Sequence, residues 1–346
     1  MRSGSGKPKI VLMKTDQVDC FDVDGRVITC QGSGQDGELG TGGLWSQERF
    51  EAGSGTVNDR ISGLMWAGDG SPGGFPMTWR EAQQYLLELN RAGYLGHRDW
   101  RLPARSELFS MVSHARTNPA LPDEAPFENV FPGYYWTSST CSGFEDQAWY
   151  LHLGGARVFR GMKHGSYMVW PVRSARTCEE RSADNGKSVC RQGQRRHRCK
   201  PVSIDLSASG NQKRFLSRAN RIHDRRTGLI WLKTADFHRG AVTWPEALER
   251  MRDLNAEQPT GRSDWRLPNI RELESLVDVS RHHPALADDH PFGSVPDGCW
   301  SSTTSVYEPR YAWVVYWQDG SVGVGYKRHA TFDAWAVRGG PAPERP

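Results

Sequence analysis

The 346-residue chain carries an internal repeat, because it aligns with itself at an offset of 165 residues that becomes 164 further along. The segment Asp99-Trp100-Arg101-Leu102-Pro103 returns unchanged from Asp264 to Pro268, and a Glu-Leu pair follows each occurrence. Further motifs recur at Gly63 and Gly228, Thr78 and Thr243, Pro119 and Pro284, Pro126 and Pro291, Trp136 and Trp300, and Trp170 and Trp335. A repeat of this length is a whole domain rather than a solenoid unit, so we expect two copies of one domain.

Most of the tryptophans belong to this repeat. Of the 14 Trp, twelve form six pairs at equivalent positions, and only Trp45 and Trp317 lack a counterpart. A Trp kept at the same place in two copies is most simply a core residue, because burying its side chain contributes roughly 2–3 kcal/mol. The paired Trp therefore predict two hydrophobic cores of the same design.

The repeat also predicts the domain boundaries. Residues 1–48 have no counterpart in the second half and are predicted to be a loop-rich extension. The two copies occupy 49–177 and 211–340, and 341–346 form a tail. Residues 178–210 are rich in Arg, Lys, Ser and Gly without apolar periodicity, which predicts a linker.

Each copy has the pattern of an α+β domain. A hairpin is predicted from Arg49 to Trp66, with its turn at Ser62-Gly63. A capping box, Thr78 with Glu81 and Thr243 with Glu246, precedes a helix that should end near Asn90 or Asn255. A shorter helix should follow Pro103 or Pro268. Short antiparallel strands are then expected near Trp136 or Trp300, at 148–153 or 312–317, and at each Trp-x-Val-Arg.

Composition excludes several classes of protein. No apolar run approaches the roughly 20 residues of a membrane span, and the first eight residues lack the apolar region of a signal peptide. The formal net charge of +4 is well short of the basicity of a nucleic-acid binder, so nucleic acid is not an expected partner. The basic loop 191–200 is the one stretch that could grip phosphate or sulfate groups, although a solvated linker is the simpler interpretation.

The seven Cys suggest local disulfides. Cys20 and Cys30 flank a short turn, and Cys190 and Cys199 bracket the basic loop. Disulfides would indicate an oxidising compartment, whereas reduced structural thiols are the alternative. Neither pair has the spacing of a zinc or redox motif.

Metal and catalytic motifs are weak. Asp36 and Glu38 could ligate calcium, and Asp22-Val23-Asp24-Gly25 resembles the start of a calcium loop, but the later ligands are missing and solvated turns are the preferred interpretation. His282, His283 and His290 cluster in the second copy alone and are interpreted as loop residues. No catalytic elbow or nucleotide-binding loop occurs, so we expect neither an enzyme nor a required cofactor.

Several repeated polar and aromatic residues are predicted to be structural. Glu107 and Glu272 open a helix, and Asp99 and Asp264 could brace the Arg that follows them two residues later. The framework set comprises Trp100, Arg101, Glu107, Arg173, Trp265, Arg266, Glu272 and Arg338.

The segment before each closing Trp differs between the copies although its flanks match. An aromatic-plus-Arg mixture of this kind provides anchors at binding surfaces, while drift between old duplicates is the alternative. The predicted ligand residues are His152, Arg157, Phe159, Arg160, His164 and Tyr167 in the first copy. In the second copy they are Tyr316, Trp317, Asp319, Tyr326, Arg328, His329, Phe332 and Asp333.

At Trp-Arg-Leu-Pro…Glu-Leu, Trp-Ser-Ser-Thr and Trp-x-Val-Arg, both copies resemble the Lcl C-terminal domain family, named for a bacterial collagen-like adhesin. The resemblance implies a variant of the C-type-lectin-like fold, also used by formylglycine-generating enzymes, and a secreted or surface-bound binding protein. Glycosaminoglycan-like polyanions are among the implied ligands. The Cys pair of the formylglycine-generating enzymes is missing, and Glu308-Pro309-Arg310 matches only part of a calcium-lectin motif.

The leading hypothesis is therefore a non-catalytic extracellular or cell-surface protein that binds a glycan or a protein. The alternative is a self-associating structural subunit of an extracellular assembly, and an oxidase of the related scaffold is less favoured. From Ser321 to Ala334, every residue except Lys327 is reachable from an Asn codon by changing adenines. Variable proteins of diversity-generating retroelements share this property, so diversification of the segment is a further hypothesis.

Overall fold

A computed structural model describes residues 11–44, 49–175, 213–235, 240–257 and 263–340. The predicted linker, with Cys190, Cys199 and the basic loop, lies outside the described residues, as do Trp45 and the tail. In the described ranges no helix is both long enough and apolar enough to cross a bilayer.

The N-terminal segment, residues 11–44, has local structure of its own. Strands β1 (Cys20–Phe21) and β2 (Val27–Ile28) pair antiparallel, and the one-turn helix α1 (Asp36–Leu39) follows them. A disulfide joins Cys20 to Cys30, which confirms the pairing predicted from their spacing.

The first domain has the predicted order of hairpin, helices and strands. Its last strand pairs with the third, in a four-stranded sheet of order β11-β5-β4-β3, so the closing Trp-x-Val-Arg segment lies beside the opening hairpin. Its elements are β3 (Phe50–Ala52), β4 (Thr56–Asp59), β5 (Leu64–Ala67), β6 (Met77–Thr78), α2 (Trp79–Ala92), α3 (Arg105–Ser110), β7 (Tyr134–Cys141), β8 (Phe144–His152), β9 (Arg157–Met162), β10 (Ser166–Tyr167) and β11 (Val172–Ser174).

The second domain repeats this order with fewer short strands. The sheet β12-β13-β14-β18 corresponds to the four-stranded sheet of the first domain. The elements are β12 (Phe215–Arg218), β13 (Arg221–Asp224), β14 (Leu229–Leu232), α4 (Trp244–Glu257), α5 (Ile270–Glu274), β15 (Gly298–Thr304), β16 (Tyr311–Tyr316), β17 (Ser321–Tyr326) and β18 (Val337–Gly339).

The capping boxes set the starts of the long helices. The Thr78 side chain accepts a hydrogen bond from the Glu81 backbone N–H, and the Glu81 carboxylate accepts one from the Thr78 backbone N–H at 2.8 Å. Thr243 and Glu246 also make this return bond, at 2.8 Å. Both predicted helices are confirmed, and each runs two residues beyond the Asn at which it was expected to end.

The two domains share one six-stranded sheet of order β15-β16-β17-β9-β8-β7. The domains meet where β17 and β9 pair antiparallel, with Val322 opposite Val158. Both of these strands lie in segments that the sequence had placed in loops. Without this pairing each would be an exposed sheet edge, so their union removes two aggregation-prone edges. Helices α3 and α5 pack against one face of the sheet, here called the inner face; the opposite face is called the outer face.

Buried charges cross the boundary on the inner face. The Arg105 guanidinium bonds to the Glu274 carboxylate at 2.6 Å and to the Gly320 carbonyl at 2.6 Å. From the other domain, the Arg271 guanidinium lies 5.9 Å from the Phe109 ring centre and donates to the Val112 carbonyl. Burial lowers the pKa of Arg271 to about 10. Separating the domains would leave these charges without their partners.

The N-terminal segment also bridges the domains. The Gln17 side-chain amide donates to the His114 carbonyl of the first domain and to the Thr304 carbonyl of the second. Asp36 is buried and accepts hydrogen bonds from Thr15 and Thr303, both at 2.7 Å. This segment was predicted as a loop-rich extension, but part of it is built into the folded core.

The repeated framework residues lie in the cores and ion pairs of both domains. Eleven of the twelve paired Trp are buried and Trp79 is partly buried. Arg101 and Glu107, like Arg266 and Glu272, form two-bond ion pairs with distances of 2.7 to 2.8 Å.

The expected partner of the framework aspartates was wrong. Asp99 does not brace Arg101; it pairs with Arg173 on the closing strand at 2.6 Å. Asp264 likewise pairs with Arg338 at 2.5 Å. Because Arg101 and Arg266 are already held by Glu residues, each Asp fastens the last strand of its domain instead.

Candidate functional site

Six of the predicted ligand residues lie on the outer face of the six-stranded sheet or against it. Strand alternation and register place them there, because residues at alternate positions of a strand share a face. His152, Arg157 and Phe159 come from β8 and β9, and Tyr316 comes from β16, while Tyr167 and Phe332 come from the segments that pack across this face.

Three rings of the first domain pack around that of Tyr134, and we call the four the aromatic cluster: Tyr134, Tyr150, His152 and Tyr167. The ring centroid of Tyr134 lies 5.2 Å from Tyr150, 4.7 Å from His152 and 5.4 Å from Tyr167. Tyr134 is 45% exposed, and the other three rings are half-buried. The cluster is thus a preassembled aromatic surface that remains open to solvent.

Sheet register explains how these rings meet. Tyr134 on β7 is directly opposite His152 on β8, and Trp136 is opposite Tyr150. Tyr167 reaches the same place from β10, which pairs with β6, and its ring centre lies 4.4 Å from that of the buried Trp136. Trp136 therefore forms the buried floor beneath the cluster.

The aromatic surface continues across the domain boundary. A Cβ placed on Gly323 would lie 2.9 Å from the Tyr316 ring and 3.0 Å from the Phe159 ring. Any larger residue at 323 would push these two rings away, so the glycine allows them to flank it closely. The Tyr316 ring centre is in turn 5.7 Å from that of Phe332.

The cluster carries little charge at neutral pH. Burial lowers the pKa of His152, and the nearby Arg157 charge lowers it further, so the imidazole is neutral. Burial and the neighbouring tyrosines raise the pKa of Tyr150 to about 12. The Arg157 guanidinium lies 6.0 Å from the Tyr307 ring centre and provides a positive charge beside the cluster.

Three predicted ligand residues have structural roles at the domain boundary or in the core. Trp317 is 1% exposed and packs 5.6 Å from Trp335, so the expectation that it anchors a ligand was wrong. Arg160 and Asp319 form an ion pair at 2.7 Å that joins the two domains. Strand alternation turns Arg160 away from the outer face, which sequence spacing alone did not reveal.

The remaining predicted residues lie away from the cluster. Tyr326 packs against Tyr311 and His329, and Arg328 pairs with Asp24 of the N-terminal segment. The Asp333 backbone N–H donates to the Gly298 carbonyl at 3.1 Å. His164 is exposed in the turn between β9 and β10. The structure therefore does not gather all fourteen residues into one site.

Sequence reasoning missed Tyr134 and Tyr150. Their counterparts in the second copy are Gly298 and Val314, so comparison of the two copies could have found them. Once the register is known, differences between the copies at solvent-facing strand positions indicate a candidate binding surface as differences in loops do.

A groove of about 580 Å³ lies in the same domain. Met168, the chain neighbour of Tyr167, and Phe131, three residues before Tyr134, are among its lining residues. Asp69, Ser71 and Asn129 supply its polar groups. The groove and the cluster are thus connected through adjacent residues on two chain segments.

The calcium candidates are engaged within the protein. The Asp36 carboxylate is buried on two threonine hydroxyls, and burial raises its pKa to about 6. Glu38 accepts hydrogen bonds from the backbone of Gly32 and Gly34, and Asp22 accepts from the Asp24 backbone. Among described residues no three His, Cys, Asp or Glu side chains are grouped to hold a metal ion, and this includes His282, His283 and His290.

Both domains match one known protein family. The Lcl C-terminal domain matches residues 55–173 and 220–338, in tandem. The chain belongs to the Lcl C-terminal domain family. Among curated proteins, none matches this sequence. The two family matches include the aromatic cluster, the groove and all of the framework ion pairs, whereas the N-terminal segment falls outside both matches.

Proposed function

We propose that this Lcl C-terminal domain protein is a non-catalytic, secreted or surface-bound bacterial binding protein whose first domain holds a glycan on the aromatic cluster. One observation carries the proposal. The exposed Tyr134 ring and the half-buried Tyr150 ring of the first copy are replaced by Gly298 and Val314 in the second, although the surrounding framework is repeated. Exposed contacting rings cost solubility without adding to the core, which favours a role in binding.

The chemistry of the cluster suits a saccharide. Aromatic rings stack against the apolar C–H faces of sugar rings, while tyrosine hydroxyls bond to sugar hydroxyls at the edges. Trp136 and Tyr167 pack beneath and beside the exposed rings, so the surface is ordered before a ligand arrives. Preorganisation reduces the entropy lost on binding.

The proposed location and scaffold have separate support. The Cys20–Cys30 disulfide is of the kind that persists in oxidising, extracytoplasmic compartments. The C-type-lectin-like scaffold is supported by the shared sequence motifs and by the close pairing of opening and closing strands in each domain. Since no calcium ligand set is formed by the described residues, the proposed sugar site works through ring contacts and hydrogen bonds.

The test is binding of the purified chain to an array of neutral and sulfated glycans. The variant combines Tyr134→Ser with Tyr150→Val, the latter being the residue of the second copy. Tyr326→Ala is the matched control, since Tyr326 is also a predicted ligand residue but packs against Tyr311. We expect the double variant to lose binding by more than about tenfold per ring lost, with the control unchanged.

Retention of glycan binding in a folded double variant, verified by its thermal melt, would overturn the cluster as the site. Failure of the native chain to bind any glycan would reject a glycan as the ligand and leave a protein ligand as the alternative.

A structural subunit is the second candidate, favoured by one surface. Val18 and Val27 are 69% and 66% exposed in the N-terminal segment. Light scattering of the native chain and of Val27→Thr would show concentration-dependent association that the substitution reduces. A monomer over the accessible concentration range would reject this candidate.

A further inference from the structure

The groove beside the aromatic cluster is built from a fixed polar wall and an exposed ring. The Asp69 carboxylate accepts hydrogen bonds from the Ser71 backbone N–H at 2.8 Å and from the Asn129 side-chain amide at 3.3 Å. The Phe131 ring is 51% exposed and folds over Gly133, where an added Cβ would clash with it at 2.1 Å. Polar wall and ring therefore border the same space.

A buried tyrosine holds this wall in place. The Tyr135 hydroxyl lies 2.9 Å from the Ser71 hydroxyl and accepts a hydrogen bond from the Phe131 backbone N–H at 2.7 Å. The Gly70 N–H donates to the Glu128 carbonyl and the Glu128 N–H to the Gly68 carbonyl, both at 2.8 Å, which joins the two segments that carry Asp69 and Asn129. The groups that face the groove are thus positioned by contacts behind them.

The hydrogen-bonding capacity of the wall matches vicinal hydroxyls. Each carboxylate oxygen of Asp69 accepts one protein hydrogen bond and keeps lone pairs for a ligand. The bond from Asn129 uses one amide hydrogen, so its second hydrogen and its carbonyl remain for an adjacent hydroxyl. An acceptor beside a donor–acceptor amide is the pattern that a diol can satisfy with two bonds.

The charge of the groove distinguishes between glycan classes. Its lining contains the Asp69 carboxylate and no Lys, Arg or His, and Glu128 adjoins it in the chain. A sulfate or carboxylate on the ligand would face this negative charge without a cation to offset it. The wall therefore disfavours the polyanions that the family resemblance had implied.

We propose that this groove is a subsite for a neutral hexose, whose vicinal hydroxyls bond to Asp69 and Asn129 and whose apolar face packs on Phe131. This inference rests on the proposed glycan-binding function and specifies its substrate class. The adjoining cluster would hold the next sugar units of the same chain. The equivalent positions of the second copy are Thr234, Ser294 and Pro296, which offer neither the carboxylate nor the ring.

The test titrates the full chain with neutral hexose oligosaccharides, such as cello-, malto- and manno-hexaose, and with a heparin hexasaccharide, at low and physiological salt. Two variants remove the wall and the ring. Asn129 has φ of 50°, a left-handed conformation that glycine adopts freely, so Asn129→Gly deletes the amide without backbone strain. Phe131→Ala deletes the ring. The control Leu87→Ala removes an equally exposed apolar side chain, 51%, from the helix α2.

We expect at least one neutral oligosaccharide to bind with an affinity that salt leaves unchanged. Asn129→Gly and Phe131→Ala should each weaken it by about tenfold, and Leu87→Ala should not. Tightest binding to heparin that fades with salt would overturn the inference. If loss of Tyr134 and Tyr150 weakens neutral-glycan binding but Asn129→Gly and Phe131→Ala do not, the subsite alone is overturned and the proposed function stands. Absence of binding to every glycan would overturn both.

Discussion

The two domains share a framework and differ in what covers it. Both place an Arg-Glu pair at the start of the second helix and an Asp-Arg pair on the closing strand. In the first domain the strand positions Ser138 and Thr140 are exposed, whereas their counterparts Ser302 and Thr304 are buried and Gln17 of the N-terminal segment bonds to Thr304. The second domain is therefore the covered copy and the first is the open one.

This difference indicates that the two domains have different roles. In the second domain Asn269 anchors Thr41 of the N-terminal segment at 3.1 Å, and Lys327 bonds to the Phe21 carbonyl at 3.3 Å. The first domain has Ala104 in place of Asn269, so it lacks that anchor. It instead exposes the aromatic cluster. The covered copy supplies stability, and the open copy is free to carry a ligand surface.

The largest difference in the free energy of unfolding should come from the same substitution made in each copy. The Arg266 and Glu272 side chains are 11% and 4% exposed, against 41% and 20% for Arg101 and Glu107. Glu272→Gln leaves a buried guanidinium without its charge partner, which should cost about 3–5 kcal/mol of the free energy of unfolding. Glu107→Gln should cost about 1 kcal/mol or less. Urea unfolding of both variants measures the difference.

The two variants control for each other, because both glutamates also accept a backbone hydrogen bond at the start of the helix, at 2.7 and 2.9 Å. Loss of that cap is common to both and cancels in the comparison. Equal destabilisation would show that the burial difference between the copies has no energetic consequence.

Local features of the fold could be predicted from the sequence. Capping boxes at Thr78 and Thr243 and the Gly63 turn depend on neighbours within a few residues, so their signals are complete in the chain. The union of β9 with β17 depends on residues far apart, and nothing local in Arg157–Met162 distinguishes a pairing strand from a loop. Tertiary pairing of this kind is decided by the assembled domains rather than by propensity.

The candidate site was partly predictable for the same reason. Differences between the copies pointed to His152, Phe159 and Tyr167, which lie on or against the outer face, but could not separate residues facing solvent from those facing the core. Trp317 lacks a counterpart because the core of the second domain differs there, and not because it binds a ligand. The buried role of Asp36 could not be seen either, since Thr303, its partner, is 267 residues away in the chain.

A second prediction concerns the cover of the second domain. The Gln17 side chain accepts from the buried Thr304 backbone N–H at 3.0 Å and donates to the Thr304 carbonyl. Gln17→Ala leaves both groups without partners, which should cost about 2–3 kcal/mol. Thr140→Ala, at the exposed counterpart in the first domain, should change stability by less than about 0.5 kcal/mol. If thermal unfolding shows the same small effect for both, the N-terminal segment is not needed as a cover.

The last prediction concerns the pH dependence of stability that His114 causes at the boundary between the copies. His114 of the first domain is buried against Phe109 and Trp313, with centroid distances of 5.6 and 5.2 Å, and neither ring nitrogen has a hydrogen-bond partner among described residues. Burial, with the charge of Arg271, lowers its pKa well below 6.5. The second copy has Val279 at this position.

The sign of the effect follows from which state binds the proton. Between pH 6.5 and the lowered pKa, His114 is protonated in the unfolded chain but not in the folded one, so stability falls as pH falls, by up to about 1.4 kcal/mol per pH unit. Asp36 acts in the opposite direction. Its pKa is raised to about 6, so from pH 6 down to about 4 the folded state takes up its proton first and gains stability relative to neutral pH.

Substitutions can separate the two contributions. His114→Phe keeps a ring between Phe109 and Trp313 and should flatten the acid loss of stability, whereas Asp36→Asn should steepen it by removing the offset. Urea midpoints measured from pH 7 to pH 4 would show both slopes. A His114→Phe variant with the native pH profile would mean that acid destabilises the protein through groups other than His114. The aromatic contact between the open and covered copies would then persist at low pH.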